Sequence, residues 1–233
     1  MSGEISQRGP KNRTLSSRVT RLRTTRVERS VGPRYFLVRH GETALNTRGV
    51  LRGRLDPELD LTGFIEAWAL SEAIGRSGIS LVVASPLKRA TDTATHIATR
   101  AGVPVETDGR LIDRDYGSWA GKPKSDVIAR WGSLDAAPEI EPAAEVFARA
   151  MDAFLDVTKR LDSGSAALVT HDAVLQLLLP ALDPGLEQDS PIPQATGCFN
   201  IVEPEGDGWE VTQLNISPGE SATPPRAREG KDR

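Results

Sequence analysis

The sequence predicts an α/β protein, a three-layer α/β/α arrangement built around a mostly parallel sheet. Three observations lead there. Apolar runs of strand length, at 34–38, 79–84 and 166–170, alternate with longer stretches of helical periodicity. Strands separated by helices form parallel sheets covered on both faces. Each run then breaks off in a polar cluster, at Arg39-His40, at Ser85 and at His171, and the C-terminal rim of such a sheet is where ligands bind. Finally, 233 residues of which 38% are hydrophobic suffice for one sizeable domain with a core.

Taken in order, the first strand covers Arg34 to Val38 and opens into a turn from Arg39 to Asn46. Residues 47–61 form a loop with Gly49, Gly53, Asp56, Pro57 and Asp60. Thr62 is the expected N-cap of a helix reaching about Ser77, with Phe64, Ala67, Trp68, Leu70, Ala73 and Ile74 at helical spacing. The second strand, 79–84, ends in Ser85-Pro86, and a helix follows to about Thr99, closed by Gly102. Val103-Pro104-Val105 reads as a short edge strand because of its proline. The Gly-rich, aromatic segment 109–123 is expected to be a functional loop. A short helix near 124–131 and a longer one from Ala143 to Leu161 come next, the latter with Phe147, Met151 and Phe154 on one face. Strand 166–170 delivers His171 and leads into an apolar helix, 173–182. Segments 198–203 and 209–215 flank Gly206-Asp207-Gly208 and read as a hairpin.

Charge and composition set further bounds. Cys198 is the only cysteine, so no internal disulfide can form and no cysteine zinc site exists. The sequence contains no apolar run near the roughly 18 residues of a membrane span and no signal-peptide core, and a cytoplasmic location is expected. The net charge of −3 hides an asymmetry: residues 1–34 hold nine Lys/Arg against Glu4 and Glu28, a balance of +7. The expected organisation is a basic disordered arm (1–33), a folded domain (34–216) and a disordered Pro/Gly-rich tail (217–233). Nucleic-acid binding by the arm is disfavoured, because it lacks aromatic residues to stack on bases.

If the three strands are neighbours, two histidines and two arginines converge on one crevice. Guanidinium groups hold phosphate oxygens bidentately and stay charged at any working pH. A neutral imidazole can attack phosphorus and carry the phosphoryl group. A second histidine and the arginines can stabilise the equatorial oxygens. The carboxylates suited to proton transfer are Glu42, Asp113, Asp115 and Asp172. No histidine pair has metal-ligand spacing, and two arginines would repel a cation; neither metal nor cofactor is implied.

These residues resemble the histidine phosphatase superfamily, in the branch that also holds the cofactor-dependent phosphoglycerate mutases. The resemblance rests on Arg39-His40-Gly41-Glu42-Thr43 with Asn46 and Gly53 after it, on Leu59 to Gly63, on Ser85 to Thr93, on Leu111 to Gly121, and on Val169-Thr170-His171. It spans about 34–215 in the family's order and implies the phosphoglycerate mutase-like fold. By that resemblance His40 is the phosphorylated nucleophile, and Arg39, Arg89 and His171 form the phosphate pocket, assisted by Asn46 and the Gly53 loop. The family's donor is usually a glutamate; here Leu111 places Asp113 there, one bond shorter. Asp172, directly after His171, matches the donor of the superfamily's other branch and stays an alternative. Arg52 stands where relatives usually carry an uncharged polar residue, and with Arg54 would add positive charge at the pocket mouth, suiting a multiply anionic substrate.

Blander roles are expected for the rest: Glu42 orients its turn, His96 is structural or exposed, and Trp119 packs beneath its loop. Only about twenty residues, Lys122 to Glu141, follow the acid loop before the next long helix. So short a cover admits water. The expected activity is a metal-independent phosphomonoesterase that acts on a small phosphorylated metabolite through phosphohistidine. A phosphoglycerate mutase-type phosphotransferase and a catalytically weak phosphate-binding module are the alternatives.

Overall fold

The computed structural model describes residues 32–161, 163–186 and 191–218. The basic arm up to residue 31 and the tail from 219 lie outside the described residues. In chain order the elements are β1 (Arg34–Arg39), α1 (Leu61–Ile74), β2 (Ile79–Ala84), α2 (Lys88–Ala101), β3 (Val105–Thr107), α3 (Lys124–Trp131), α4 (Ala143–Lys159), β4 (Ser165–Thr170), α5 (Asp172–Leu182), β5 (Phe199–Glu205) and β6 (Gly208–Ile216). Two single 3₁₀ turns, Gly109–Leu111 and Gly117–Trp119, punctuate the loop before α3.

The sheet runs β3-β2-β4-β1-β5-β6. β1, β2 and β3 are parallel to their neighbours on the β4 side, and β5 and β6 close the other edge as an antiparallel hairpin. Period-two alternation sorts the strands between two cores. Tyr35 and Leu37 face α4 and α5 with Ala166, Leu168 and Phe154, whereas Phe36 and Val38 face α1 and α2 with Ala167, Val169 and Ile97. Because both faces are covered, the central strands read as unbroken apolar runs. A third, smaller cluster of Leu51, Tyr116, Val127, Ala137 and Ile140 forms beneath the loops near α3. Trp119 packs against it, with Lys122 over its ring, in the packing role expected of it.

Several local expectations shift. α1 is capped by Asp60, whose carboxylate accepts from the Gly63 N–H at 2.9 Å, and not by Thr62, which lies in the first turn. Its buried side is Gly63, Ala67, Leu70, Ser71 and Ile74; Phe64, Trp68 and Ala73 are exposed. The edge strand begins at Val105, after Pro104, which has no N–H to offer a ladder. On α4 the buried stripe is Val146, Ala150, Ala153, Phe154 and Val157, while Phe147 and Met151 lie at its margin.

No helix among the described residues is long and apolar enough to cross a membrane.

Candidate active site

The sheet order places β2, β4 and β1 side by side, so Ser85, His171 and His40 leave adjacent strands at one rim. Backbone bonds continue the ladder past the strand ends: His40 N–H donates to Thr170 O at 3.1 Å and Ser85 N–H to Val169 O at 2.9 Å. The two imidazoles, both fully buried, lie with ring centres 5.1 Å apart.

His40 is fixed by its own turn. Its Nδ1 lies 2.7 Å from the Gly41 carbonyl oxygen, so Nδ1 carries the proton and donates, and Nε2 keeps its lone pair. Gly41 N–H donates to Thr93 Oγ1 at 3.1 Å, which ties the turn to α2. The turn also abuts α1 backbone to backbone. A Cβ on Gly41 would stand 2.4 Å from Gly63 O, and one on Gly63 would stand 2.0 Å from Glu42 O. That is why glycine occupies both places.

Arg89, wholly buried in the first turn of α2, connects the parts. Its Nε donates to His40 Nε2 at 3.2 Å, Nη1 to Leu55 O at 2.7 Å, and Nη2 to both Gly53 O and Asp113 Oδ2 at 3.0 Å. One side chain thus joins the nucleophile candidate, the 47–60 loop and the acid loop. Gly53 sits at φ +51°, and a Cβ there would stand 2.8 Å from Arg114 O. This left-handed, crowded position requires glycine.

His171 Nε2 and Ser85 Oγ are 2.7 Å apart. The opposite nitrogen, Nδ1, is buried without a hydrogen-bond partner among the described residues, 3.9 Å from Asp113 Oδ2. Burial, reinforced by Arg89, holds both imidazoles well below the usual histidine range, with Arg39 adding to the effect on His40 and His40 itself to that on His171. Both are neutral at pH 7. Burial pushes the Asp113 carboxyl above its ordinary value, outweighing the opposing pull of Arg89 and Arg52.

The remaining predicted residues divide. Arg39, the last residue of β1, donates from Nη1 to Gln194 O, and its Nε is buried without a partner among the described residues. Arg52 and Asp172 both lie within electrostatic reach of Asp113. Asp172 accepts from Gln176 Nε2 at 3.2 Å. Asn46 holds its own turn, since its Oδ1 accepts from the Thr43 N–H at 3.1 Å and the Thr43 hydroxyl at 2.7 Å. Arg54 does not add free charge at the mouth: it pairs with Asp115 at 3.3 Å. Glu42 turns to Thr62, in keeping with an orienting role.

One contributor carries no signal in the sequence. Arg149, on α4, donates to the carbonyls of Arg110 (2.7 Å), Ile112 (2.6 Å) and Asp113 (3.2 Å) and pairs with Glu141 at 2.8 Å, so it staples the acid loop in place. Among the described residues no cluster of His, Cys, Asp and Glu could hold a metal ion.

Two buried histidines and the buried Arg89–Asp113 pair thus stand together at one parallel rim. The sequence model of the histidine phosphatase superfamily (branch 1) matches residues 35–217. The chain belongs to that superfamily. This histidine phosphatase is 30% identical over 196 residues to phosphoserine phosphatase 1 of Hydrogenobacter thermophilus, covering 78% of this chain and 92% of the relative. It is 28% identical over 181 residues to the uncharacterized phosphatase PhoE of Bacillus subtilis, covering 78% and 93%. The solved structure of mycobacterial glucosyl-3-phosphoglycerate phosphatase with VO3 superposes with a TM-score of 0.70 at 25% identity, covering 79% of this chain and 99% of that one. Family and relatives together make the chain a phosphoric monoester hydrolase.

Proposed function

We propose that the protein hydrolyses small phosphate monoesters without a metal, through a phosphorylated His40. The observation that carries this reading is the pairing of a fixed tautomer with a charged neighbour. Nδ1 of His40 is committed to Gly41 O, and its lone-pair nitrogen faces Arg89. A phosphoryl oxygen draws the Arg89 Nε–H to itself and frees that lone pair for attack on phosphorus. The N–P bond forms as the ester P–O bond breaks, and the departing alkoxide takes the proton of Asp113. Asp113, now ionised, removes a proton from water; the oxygen attacks phosphorus, the N–P bond breaks and phosphate leaves. The guanidiniums, with Nδ1 of His171, stabilise the equatorial oxygens, which places positive charge where a metal ion would otherwise act. Phosphatases by name among the relatives favour water as the acceptor over a second metabolite. The test is turnover of an aryl phosphate in chelator, with acid-labile, base-stable phosphate trapped on the peptide bearing His40. Turnover abolished by chelator, or phosphate on another residue, overturns the reading.

Asp113 is the better donor because it is buried, its carboxyl is raised, and it lies beside both His171 and Arg89. Asp113→Asn is expected to slow hydrolysis of an alkyl phosphate by about 10²–10⁴-fold. It should slow an activated aryl phosphate less, since a good leaving group needs no proton. Asp172→Asn should leave that leaving-group dependence unchanged. The reverse pattern would make Asp172 the donor.

Arg52 supports a narrower substrate class. It is half-buried, its Nε is out of solvent, and its guanidinium makes no hydrogen bond or ion pair with any described residue. A guanidinium so placed beside the pocket suits a second anionic group on the substrate, a carboxylate or another phosphate. Arg52→Gln is expected to lower kcat/KM for such substrates, relative to a plain aryl phosphate, by about 10–100-fold. An unchanged ratio refutes the role.

A further inference from the structure

α1 is apolar on two sides. One side is buried against the sheet. On the other, Leu61, Phe64, Ile65 and Trp68 follow one another at i, i+3, i+4 and i+7 and are 78%, 55%, 56% and 57% exposed. That spacing marks a helix face made for burial. α2 runs beside α1 in the same direction, as three contacts along the pair establish: Glu58 with Lys88, Phe64 edge-on to His96 at 4.7 Å, and Glu72 with Arg100. Between them lies an open groove of about 770 Å³, walled by Leu59, Phe64 and Trp68 and by Thr95, His96 and Thr99.

We propose that this face is an interface between two copies of the chain, packed about a two-fold axis that passes between Phe64 and Ile65, near the N-terminal end of α1. The first argument is symmetry. The four positions are arranged evenly about the midpoint between Phe64 and Ile65. Two antiparallel copies of α1 therefore set Leu61 of one against Trp68 of the other, and Phe64 against Ile65, twice over. Such self-complementarity is what an isologous dimer needs.

Area gives the second argument. At about 150–250 Å² for a large side chain, the exposed fractions leave roughly 400–500 Å² of apolar surface in water. A stable interface buries about 800 Å² per partner, a little over half of it apolar. The stripe matches that requirement.

Charge removes the main objection. Glu58 and Asp92 share Lys88, at 3.8 and 3.2 Å, and Glu72 pairs with Arg100 at 3.1 Å. The carboxylates on the α2 side of the stripe are thus compensated within each copy, and Asp60 and Glu66 beside its N-terminal end are turned inward to accept from Gly63 N–H and from Glu42 N–H and the Thr196 hydroxyl.

The experiment is sedimentation of the full chain across a micromolar concentration series, for wild type and for Phe64→Glu, Trp68→Glu and Trp131→Glu. Wild type is expected to be a dimer. Phe64→Glu and Trp68→Glu should each weaken it by at least about 30-fold, with an unchanged circular dichroism spectrum. Trp131→Glu, an exposed tryptophan off this face, should leave it intact. A complementary measurement guards against misfolded variants: Ile65→Cys, beside the axis, should form a disulfide-linked dimer under a mild oxidant. A wild type that stays monomeric overturns the proposal, as does a dimer indifferent to both glutamates or a cysteine variant that does not cross-link.

Discussion

His40→Ala is expected to leave a folded protein that hydrolyses an aryl phosphate at least about 10⁴-fold more slowly than wild type, the scale on which loss of a nucleophile falls. The substitution removes the lone pair that attacks phosphorus, and nothing beside it can take over. His171 is neutral too, but its Nε2 is engaged with Ser85 and its free nitrogen faces Asp113. Folding should tolerate the change, because the turn is held independently by Gly41 N–H to Thr93 and by the close approach of Gly41 and Gly63. Circular dichroism and a thermal melt alongside the assay separate lost chemistry from lost structure. A folded variant within tenfold of wild type would exclude His40 as the nucleophile.

Arg89→Ala should be the single change most damaging to stability, and it should slow turnover as well. It would leave Leu55 O, Gly53 O, Asp113 Oδ2 and His40 Nε2 without that donor, the last three on buried residues. Breaking a buried pair from one side costs about 3–5 kcal/mol, because the acceptors left behind cannot resolvate. For a domain of this size that lowers Tm by roughly 10 °C. Turnover should fall by at least about 10³-fold, since the 47–60 loop and Asp113 both lose their anchor along with the charge on the phosphoryl group. Arg89→Lys should recover little of either, as one ammonium cannot span four acceptors in the guanidinium geometry. A melt within 2 °C of wild type, on the order of 1 kcal/mol, would show that the network adds little.

Much of this was legible in the chain. Strand runs and polar ends located His40, Ser85 and His171, and only the neighbour relation of β2, β4 and β1 was left to the fold. Motif order then named Arg39, Arg89 and Asp113, and the structure brings them to the same rim. Local capping was less legible. Asp60 and Thr62 are both good caps, and the choice depends on which backbone N–H is left free once the helix is placed, here that of Gly63. Periodicity identified α1 as a helix but could not orient it, because apolar residues occupy both sides and only docking on the sheet selects Ala67, Leu70 and Ile74 over Phe64 and Trp68.

What the sequence by itself determined is the succession of strands and helices, the chemistry each strand carries to its end, and the family to which those residues point. These follow from local pattern: apolar period, turn residues, and reactive side chains at fixed offsets. Tertiary structure alone decided which charges are free. Arg54 is paired with Asp115, Arg149 is bound to three carbonyls of the acid loop, and the Arg52 guanidinium has no hydrogen bond or ion pair among the described residues. All three read alike in sequence, since a guanidinium's role is set by what lies within about 3 Å of it, and those neighbours come from segments far along the chain.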